Sequence, residues 1–562
     1  MTLQTNWVSE MRLQEAVVHH QDGRLGEAQV LYREILDIDP EDSNALHLLG
    51  VTYYQQGFPE TAIPLIGASI RINPTNCLAY TNLGNALQGI GKSLEAIHCY
   101  DCALSIAPLH ADAFFNRGLA LQSLDRPEEA LSSYEQAIVA DDQHVEAHFR
   151  RGNSLYALGR PDEAIVSYDQ VIVHSPSHAE AYFNRGVVLQ SVERNEEALR
   201  SYNHTLQINP DHARAFNNRG NTLQSLDLYQ DAINSYGRAQ AICPDYGDPY
   251  WNEALCRLKT GDFEIGWEKY EWRWANSISN PTRRAFAQPR WFGDEDLHGK
   301  TILIHAEQGF GDTIQFCRYA KLVVQRGAHV ILEVQTELKA LLNHIEGVEV
   351  VSSLERHGEY DFHCPLMSLP LAFGTRLATI PSSHAYVECD PVLGKTWKAK
   401  LGNKLAPRIG LAWSGNRDNT NDPARSCGLS EMSRLFRHDI EWFCLQKDFT
   451  SADQILINSM ALPRFSEELT TFAETAALIE QMDLVISVDT AVAHLAAAMG
   501  KPTWLLLAHN ADFRWLLGRR DSPWYPTMLL FRQTRMGDWS GLITKMSAFM
   551  LSNYDQQLGV RS

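Results

Sequence analysis

Between Gly23 and Thr260 the apolar and small positions recur every 34 residues, seven times without a gap. A period of this length marks stacked supersecondary units rather than one closed core. Alanine returns at Ala28, Ala62, Ala96, Ala130, Ala164, Ala198 and Ala232, and glycine at Gly50, Gly84, Gly118, Gly152, Gly186 and Gly220. Small side chains at these points let two helices approach closely. Tyr32, Tyr100, Tyr134, Tyr168, Tyr202 and Tyr236 form a third column. Pro40, Pro74, Pro108, Pro176, Pro210 and Pro244 close each second helix, because proline cannot continue one. Counted from the first helix of each pair, the array begins near Ser9 and predicts eight helix pairs, the last running through Phe263 to about Trp274. Each pair is short of core alone and buries its apolar face on its neighbours, so a superhelix with a long concave surface is expected.

After Trp274 the period ends. Residues 276–299 hold prolines and polar residues with little apolar periodicity, and read as a linker packed by Trp291 and Phe292. Strand and helix alternation follows. Thr301 to Ala306, His329 to Val334 and Val348 to Val351 are short buried-strand runs, with a helix expected over Asp312 to Gln325. Beyond Pro407 the alternation restarts with Arg408 to Trp413, Glu441 to Leu445, Leu484 to Val488, a helix over Thr490 to Met499, and Thr503 to Leu507. Such alternation predicts parallel sheets covered on both faces. The expected organisation is an α-solenoid over 1–275, a linker over 276–299, and two Rossmann-like halves over 300–395 and 396–562, with a cleft between the halves.

Composition narrows the function. The chain of 562 residues exceeds the roughly 250–300 at which single cores stop growing. Lys plus Arg is 49 against 68 for Asp plus Glu, a formal charge of −19. That balance argues against nucleic acid or anionic membrane as partners, since phosphate demands a basic footprint. Ten cysteines are scattered, and the one CxxC, Cys99 and Cys102, falls inside a second repeat helix where small packing residues are expected. The N-terminus lacks an apolar signal core, and the longest apolar stretch, Leu484 to Ala508, is interrupted by Asp489, His494 and Lys501. No membrane span and a cytoplasmic location are expected, with no metal site and no cofactor.

Two residues before the glycine column stand Asn82, Asn116, Arg150, Asn184, Asn218 and Asn252. An amide offers both donor and acceptor and can clamp an extended peptide backbone without reading its sequence. The five asparagines are therefore candidate peptide-binding residues, although asparagine also serves packing at such positions.

Three loops follow strands, where open α/β sheets place ligands. Glu307-Gln308-Gly309-Phe310-Gly311-Asp312 carries a GxG, but Ile314 stands where a dinucleotide fingerprint needs its third glycine, and Asp312 would repel a pyrophosphate. Asp312 reads instead either as a general base for an acceptor hydroxyl or as a helix cap. In the segment from Ser487 to Ala498, a strand delivers Asp489 and Thr490 to a helix start, with His494 one turn along. Free N–H groups, a hydroxyl and an imidazole there suit a diphosphate. The third loop, Trp413-Ser414-Gly415-Asn416 to Arg425-Ser426, is polar and carries a cation, and Lys447 follows another strand. Ser414, Arg425 and Lys447 are candidate donor-binding residues beside Asp489, Thr490 and His494.

The repeat columns resemble the tetratricopeptide repeat. Residues from about Thr301 to Leu551 resemble the bacterial lipopolysaccharide heptosyltransferases, metal-independent inverting enzymes of the GT-B fold that use nucleotide-diphosphate sugars. Their Asp-Thr-Gly-x-x-His-x-x-Ala-Ala signature stands here as Asp489-Thr490-Ala491-Val492-Ala493-His494-Leu495-Ala496-Ala497-Ala498, and their Gly-Asp as Gly311-Asp312. The resemblance implies donor binding at the first and a catalytic base at the second, and puts Arg425 near a phosphate-contacting lysine. Ala491 replaces a glycine, and the proline that usually follows Gly-Asp is missing from Gln315-Phe316-Cys317-Arg318. Repeats joined to a sugar transferase are similar in architecture to the O-linked N-acetylglucosamine transferases, whose asparagine ladder holds protein substrates. The expectation is an enzyme that glycosylates a polypeptide recruited by the repeats; the alternatives are an enzyme that acts on a lipid-linked or surface glycan with the repeats as a docking module, and a non-enzymatic repeat scaffold with a degenerate transferase domain.

Overall fold

A computed structural model describes residues 2–275, 284–352, 359–415 and 425–554 of the protein. It forms two compact units, Met1–Leu226 and Asp227–Ser562.

The first unit is a tetratricopeptide solenoid of thirteen helices among the described residues, α1 (Thr2–Gln21) to α13 (Ala213–Ser225). The glycine and tyrosine columns explain each other. A β-carbon on Gly84, Gly118, Gly152 or Gly186 would fall 2.5–2.7 Å from Cε1 of Tyr100, Tyr134, Tyr168 or Tyr202. The missing side chain on one helix is thus the seat of the phenol ring on the next. Two further columns knit the stack. Arg117, Arg151 and Arg185 donate to Ser133, Ser167 and Ser201 of their own pair at 2.7–2.8 Å, and to Asp101, Glu135 and Asp169 of the preceding one. His144, His178 and His212 accept the N–H of Ala147, Ala181 and Ala215 on Nδ1, taking at the N-cap the part that Ser, Thr, Asp or Asn usually plays. Each of these rings also packs 4.7–5.0 Å from a phenylalanine of the preceding pair, Phe115, Phe149 or Phe183.

The second unit opens with α14 (Tyr229–Ile242), α15 (Gly247–Thr260) and α16 (Phe263–Tyr270), followed by a 3-10 turn at Glu271–Trp274. Two parallel sheets follow. The first contains β1 (Thr301–His305), β2 (His329–Val334), β3 (Val348–Ser352) and β4 (Phe362–Pro365) in the order β3-β2-β1-β4. The second contains β5 (Arg408–Ala412), β6 (Glu441–Cys444), β7 (Leu484–Val488), β8 (Thr503–Leu507) and β9 (Met528–Arg532) in the order β6-β5-β7-β8-β9. β4 and β9 were not expected from the sequence; Phe362–Pro365 is only four residues long and β9 sits at an edge.

Alternate residues of the second sheet separate two cores. Val485, Leu505 and Leu530 face one that also holds Ile302 and Ile304 of β1 and the aromatic residues of α16, while Ile486, Leu506 and Phe531 face the other. Of the two linker aromatics, Trp291 is fully buried and donates to the Glu295 carbonyl, but Phe292 is 46% exposed. The expectation that both pack the linker therefore holds for Trp291 alone: Arg290 lies over the Phe292 ring, 4.8 Å from its centroid, and leaves it at the surface. The helix expected over 312–325 is two, Phe310–Phe316 and Arg318–Gln325, broken at Cys317. Just after it, Arg318 is buried and donates to the Gln315 and Trp524 carbonyls and the Tyr386 hydroxyl, each at 2.7 Å.

Candidate functional site

The loops after β1 and β7 face each other. Each strand ends in a turn that starts a helix, Phe310–Phe316 after β1 and Ala491–Ala498 after β7. The two helices pack so closely that a β-carbon on Gly311 would lie 2.9 Å from Cδ2 of His494. Sequence reasoning chose both loops, and tertiary packing joins them.

Asp312 does what a cap does, and more. Its Oδ2 accepts the Gly309 N–H at 2.9 Å at the start of its helix, a favourable place for a carboxylate. Its Oδ1 accepts from Nη2 of Arg514, whose side chain is 8% exposed. Arg514 also donates to Gln315 Oε1 at 2.8 Å and to Asp512 Oδ1 at 2.7 Å. Burial works against the guanidinium charge, and the Asp512 and Asp312 carboxylates outweigh it and hold the group cationic.

Asp489 leaves the helix start at Thr490 and accepts from the Trp515 indole N–H at 2.8 Å, while Nε2 of His494 lies 3.7 Å from its other oxygen. Burial alone would raise its carboxyl, but His494, Trp515 and the nearby Arg514 together keep it below its ordinary value. Nδ1 of His494 sits 2.8 Å from the Tyr525 hydroxyl, so that ring is fixed from both sides. Thr490 occupies the N-cap position without capping through its side chain. Its hydroxyl is 3.0 Å from that of Ser487.

The third group of residues gathers at the end of β5. Gln446 turns its Oε1 to the backbone N–H groups of Trp413 and Ser414, both at 3.2 Å. Ser414 Oγ is buried with no partner among the described residues. Ser426 Oγ accepts the Gly415 N–H at 3.3 Å. Arg425 is half-buried and engaged, Lys447 is exposed, and Asn416 lies outside the described residues.

On the repeats, Asn82, Asn116, Asn184 and Asn218 are half-buried on the first helices of their pairs. Three of these amides bond within the solenoid. Asn82 Nδ2 is 2.9 Å from His47 Nε2, Asn184 Nδ2 donates to Asn153 Oδ1 at 3.1 Å, and Asn218 Oδ1 accepts from Asn217 at 3.3 Å. Asn252 lies on α15 in the second unit, half-buried and engaged.

Sequence reasoning missed Arg514, Trp515 and Tyr525. All three lie between β8 and β9, in a polar stretch that directly follows the TWLLL strand. Position after a strand was the available signal; the stretch has no glycine-rich turn to draw attention to it. Among the described residues no three His, Cys, Asp or Glu side chains are grouped to hold a metal, and no helix is long and apolar enough to cross a membrane.

Tetratricopeptide repeat models match residues 81–145, 118–178, 149–191, 179–212 and 213–246. The model of glycosyltransferase family 9 (heptosyltransferase) matches residues 469–512, which span β7, the helix Ala491–Ala498 and β8. Protein FlbA of Caulobacter vibrioides is 26% identical over 314 residues, covering 51% of this chain and 52% of that protein. The chain thus spans about half the length of that curated relative. Among solved structures, YrrB, described as a tetratricopeptide repeat protein with an unusual peptide-binding site, is 24% identical over 33% of this chain and 95% of its own, with a TM-score of 0.31. PilF of Pseudomonas aeruginosa is 19% identical over 37% of this chain and 94% of its own, with a TM-score of 0.35. The protein therefore combines tetratricopeptide repeats with a glycosyltransferase-like region.

Proposed function

We propose that the protein is an inverting glycosyltransferase that moves a sugar from a nucleotide-diphosphate donor to a polypeptide recruited by its repeats, without a metal. The observation that carries this reading is the apposition of Gly311-Asp312 and His494. It sets a carboxylate from one Rossmann-like half beside the helix start of the other.

The start of the helix Ala491–Ala498 is the donor end. Its leading N–H groups and dipole favour a diphosphate, with Thr490, His494 and the Ser414 hydroxyl as side-chain partners and Arg425 and Lys447 as cations. In the transfer, Asp312 takes the proton of the acceptor hydroxyl as that oxygen bonds to the anomeric carbon. The bond from that carbon to the diphosphate oxygen breaks, and the diphosphate leaves with the electron pair. Attack opposite the leaving group inverts the carbon. Asp489 and Tyr525 keep His494 in place through this step.

The asparagines of the repeats are the proposed peptide contacts, and the excess of acidic residues makes a basic or neutral segment the better guest. A thermal-shift and calorimetric series with nucleoside diphosphates in the presence of chelator tests the donor site. A ligand at 100 times its dissociation constant stabilises by about 2.7 kcal/mol. Failure of every nucleoside diphosphate to bind, or binding that vanishes with chelator, overturns the reading.

A further inference from the structure

Arg514 belongs to the loop after β8 in one sheet domain, and it holds the carboxylate of Asp312 in the other. Its guanidinium is enclosed, 4.5 Å from the Phe513 ring and 5.6 Å from that of Phe316, and it lies close enough to Asp489 to lower that carboxyl too. A buried cation is therefore bonded to the carboxylate that would accept a proton and lies near Asp489, two residues before the helix start that would hold a diphosphate. The two uses conflict. A carboxylate paired to a guanidinium and a backbone N–H has both oxygens engaged and is a weak proton acceptor. The ligand chemistry best able to take a guanidinium away from it is a diphosphate, which matches the planar fork of donors.

The loop that carries Arg514 is tied to the last helices of the repeat array. Lys259 of α15 donates to Asn510 at 2.8 Å, and Phe513 packs 5.7 Å from Trp267 and 5.9 Å from Tyr270. Asp512 and Gln315 hold the remaining guanidinium nitrogens. The final helix pair of the repeat array is in this way the brace of the Arg514 loop.

We propose that Arg514 is a diphosphate-sensing switch: its guanidinium, held by Asp312 in the free protein, passes to the diphosphate of the bound donor and so releases Asp312 to accept the acceptor proton. This rests on the reading of the protein as a user of nucleotide-diphosphate sugars. It makes transfer follow donor binding in a fixed order and prevents Asp312 from acting on an empty site.

The test is calorimetry of ADP, CDP, GDP and UDP against the full chain and its variants. Asp312→Asn removes the competitor for the guanidinium while keeping an acceptor for the Gly309 N–H, so it should tighten nucleoside diphosphate binding by about fivefold or more. Arg514→Gln should weaken it by about tenfold or more, and adding Asp312→Asn to that variant should restore nothing. Opposite signs for the two single changes are the mark of a switch; a scaffold role moves both the same way. Unchanged or weaker binding by Asp312→Asn overturns the switch, as does tightening that persists in the double variant. If Arg514→Gln fails to fold, the sign of the Asp312→Asn change decides. Absence of any nucleoside diphosphate binding by the parent chain instead overturns the transferase reading itself.

Discussion

Gly311 lies against the ring of His494, with room for a hydrogen and none for a methyl group. The ring cannot retreat freely, because Tyr525 bonds to one of its nitrogens and Asp489 lies 3.7 Å from the other. Gly311→Ala is therefore expected to displace His494 and weaken nucleoside diphosphate binding, at a stability cost of about 1–3 kcal/mol for overpacking. Calorimetry with the best nucleoside diphosphate, together with urea unfolding, measures both. Normal affinity in the alanine variant would show that the ring's position is irrelevant to the donor site.

Asp312 distinguishes binding from chemistry. Asp312→Asn is expected to lower transfer by about 10² to 10⁴ fold, the usual worth of a general base, without weakening the donor complex. Single-turnover transfer to a captured polypeptide at saturating donor is the measurement. Undiminished turnover would leave Asp312 as the cap that its bond to Gly309 already makes it.

His305 at the end of β1 and His363 within β4 make a prediction about pH. Burial, with neighbouring arginines, lowers His305 to about 3 and His363 to about 4 from an ordinary 6.5, and both rings stack on Phe286. The unfolded chain thus takes up protons below pH 6.5 that the folded chain refuses. Their contribution to stability is complete above pH 6.5 and is lost as pH falls toward 3. Urea unfolding of the His305→Gln variant should show a shallower decline over this window than the parent. Parallel curves would refute the assignment.

The asparagine ladder has a test that the structure alters. Asn184 and Asn218 already bond to neighbouring amides, so replacing Asn116, Asn184 and Asn218 together by alanine should cost some stability as well as acceptor capture. Each lost hydrogen bond is worth about 0.5–1.5 kcal/mol net. Nucleoside diphosphate affinity should stay at the parental value. Unaltered transfer to a polypeptide by the triple variant would remove the ladder from acceptor binding.

The 34-residue period alone determined the repeat fold, because every copy must solve the same local packing problem and so repeats the same small and aromatic positions. The alternation of strands and helices likewise gave the parallel sheets and both loops of the candidate site, since a buried parallel strand is a short apolar run and its C-terminal turn is where ligands lie. Three things depended on tertiary structure. The contact between the glycine and tyrosine columns, as Tyr134 makes with Gly118, is set by how the second helix of each pair packs on the first. The burial of Arg318 follows from where it finds its acceptors, on segments far along the chain. The meeting of Asp312, Arg514, Asp489 and His494 is set by how two sheets pack, and Arg514 bears no local mark because one arginine in a polar loop reads as a surface charge until an acid 202 residues away is seen to hold it.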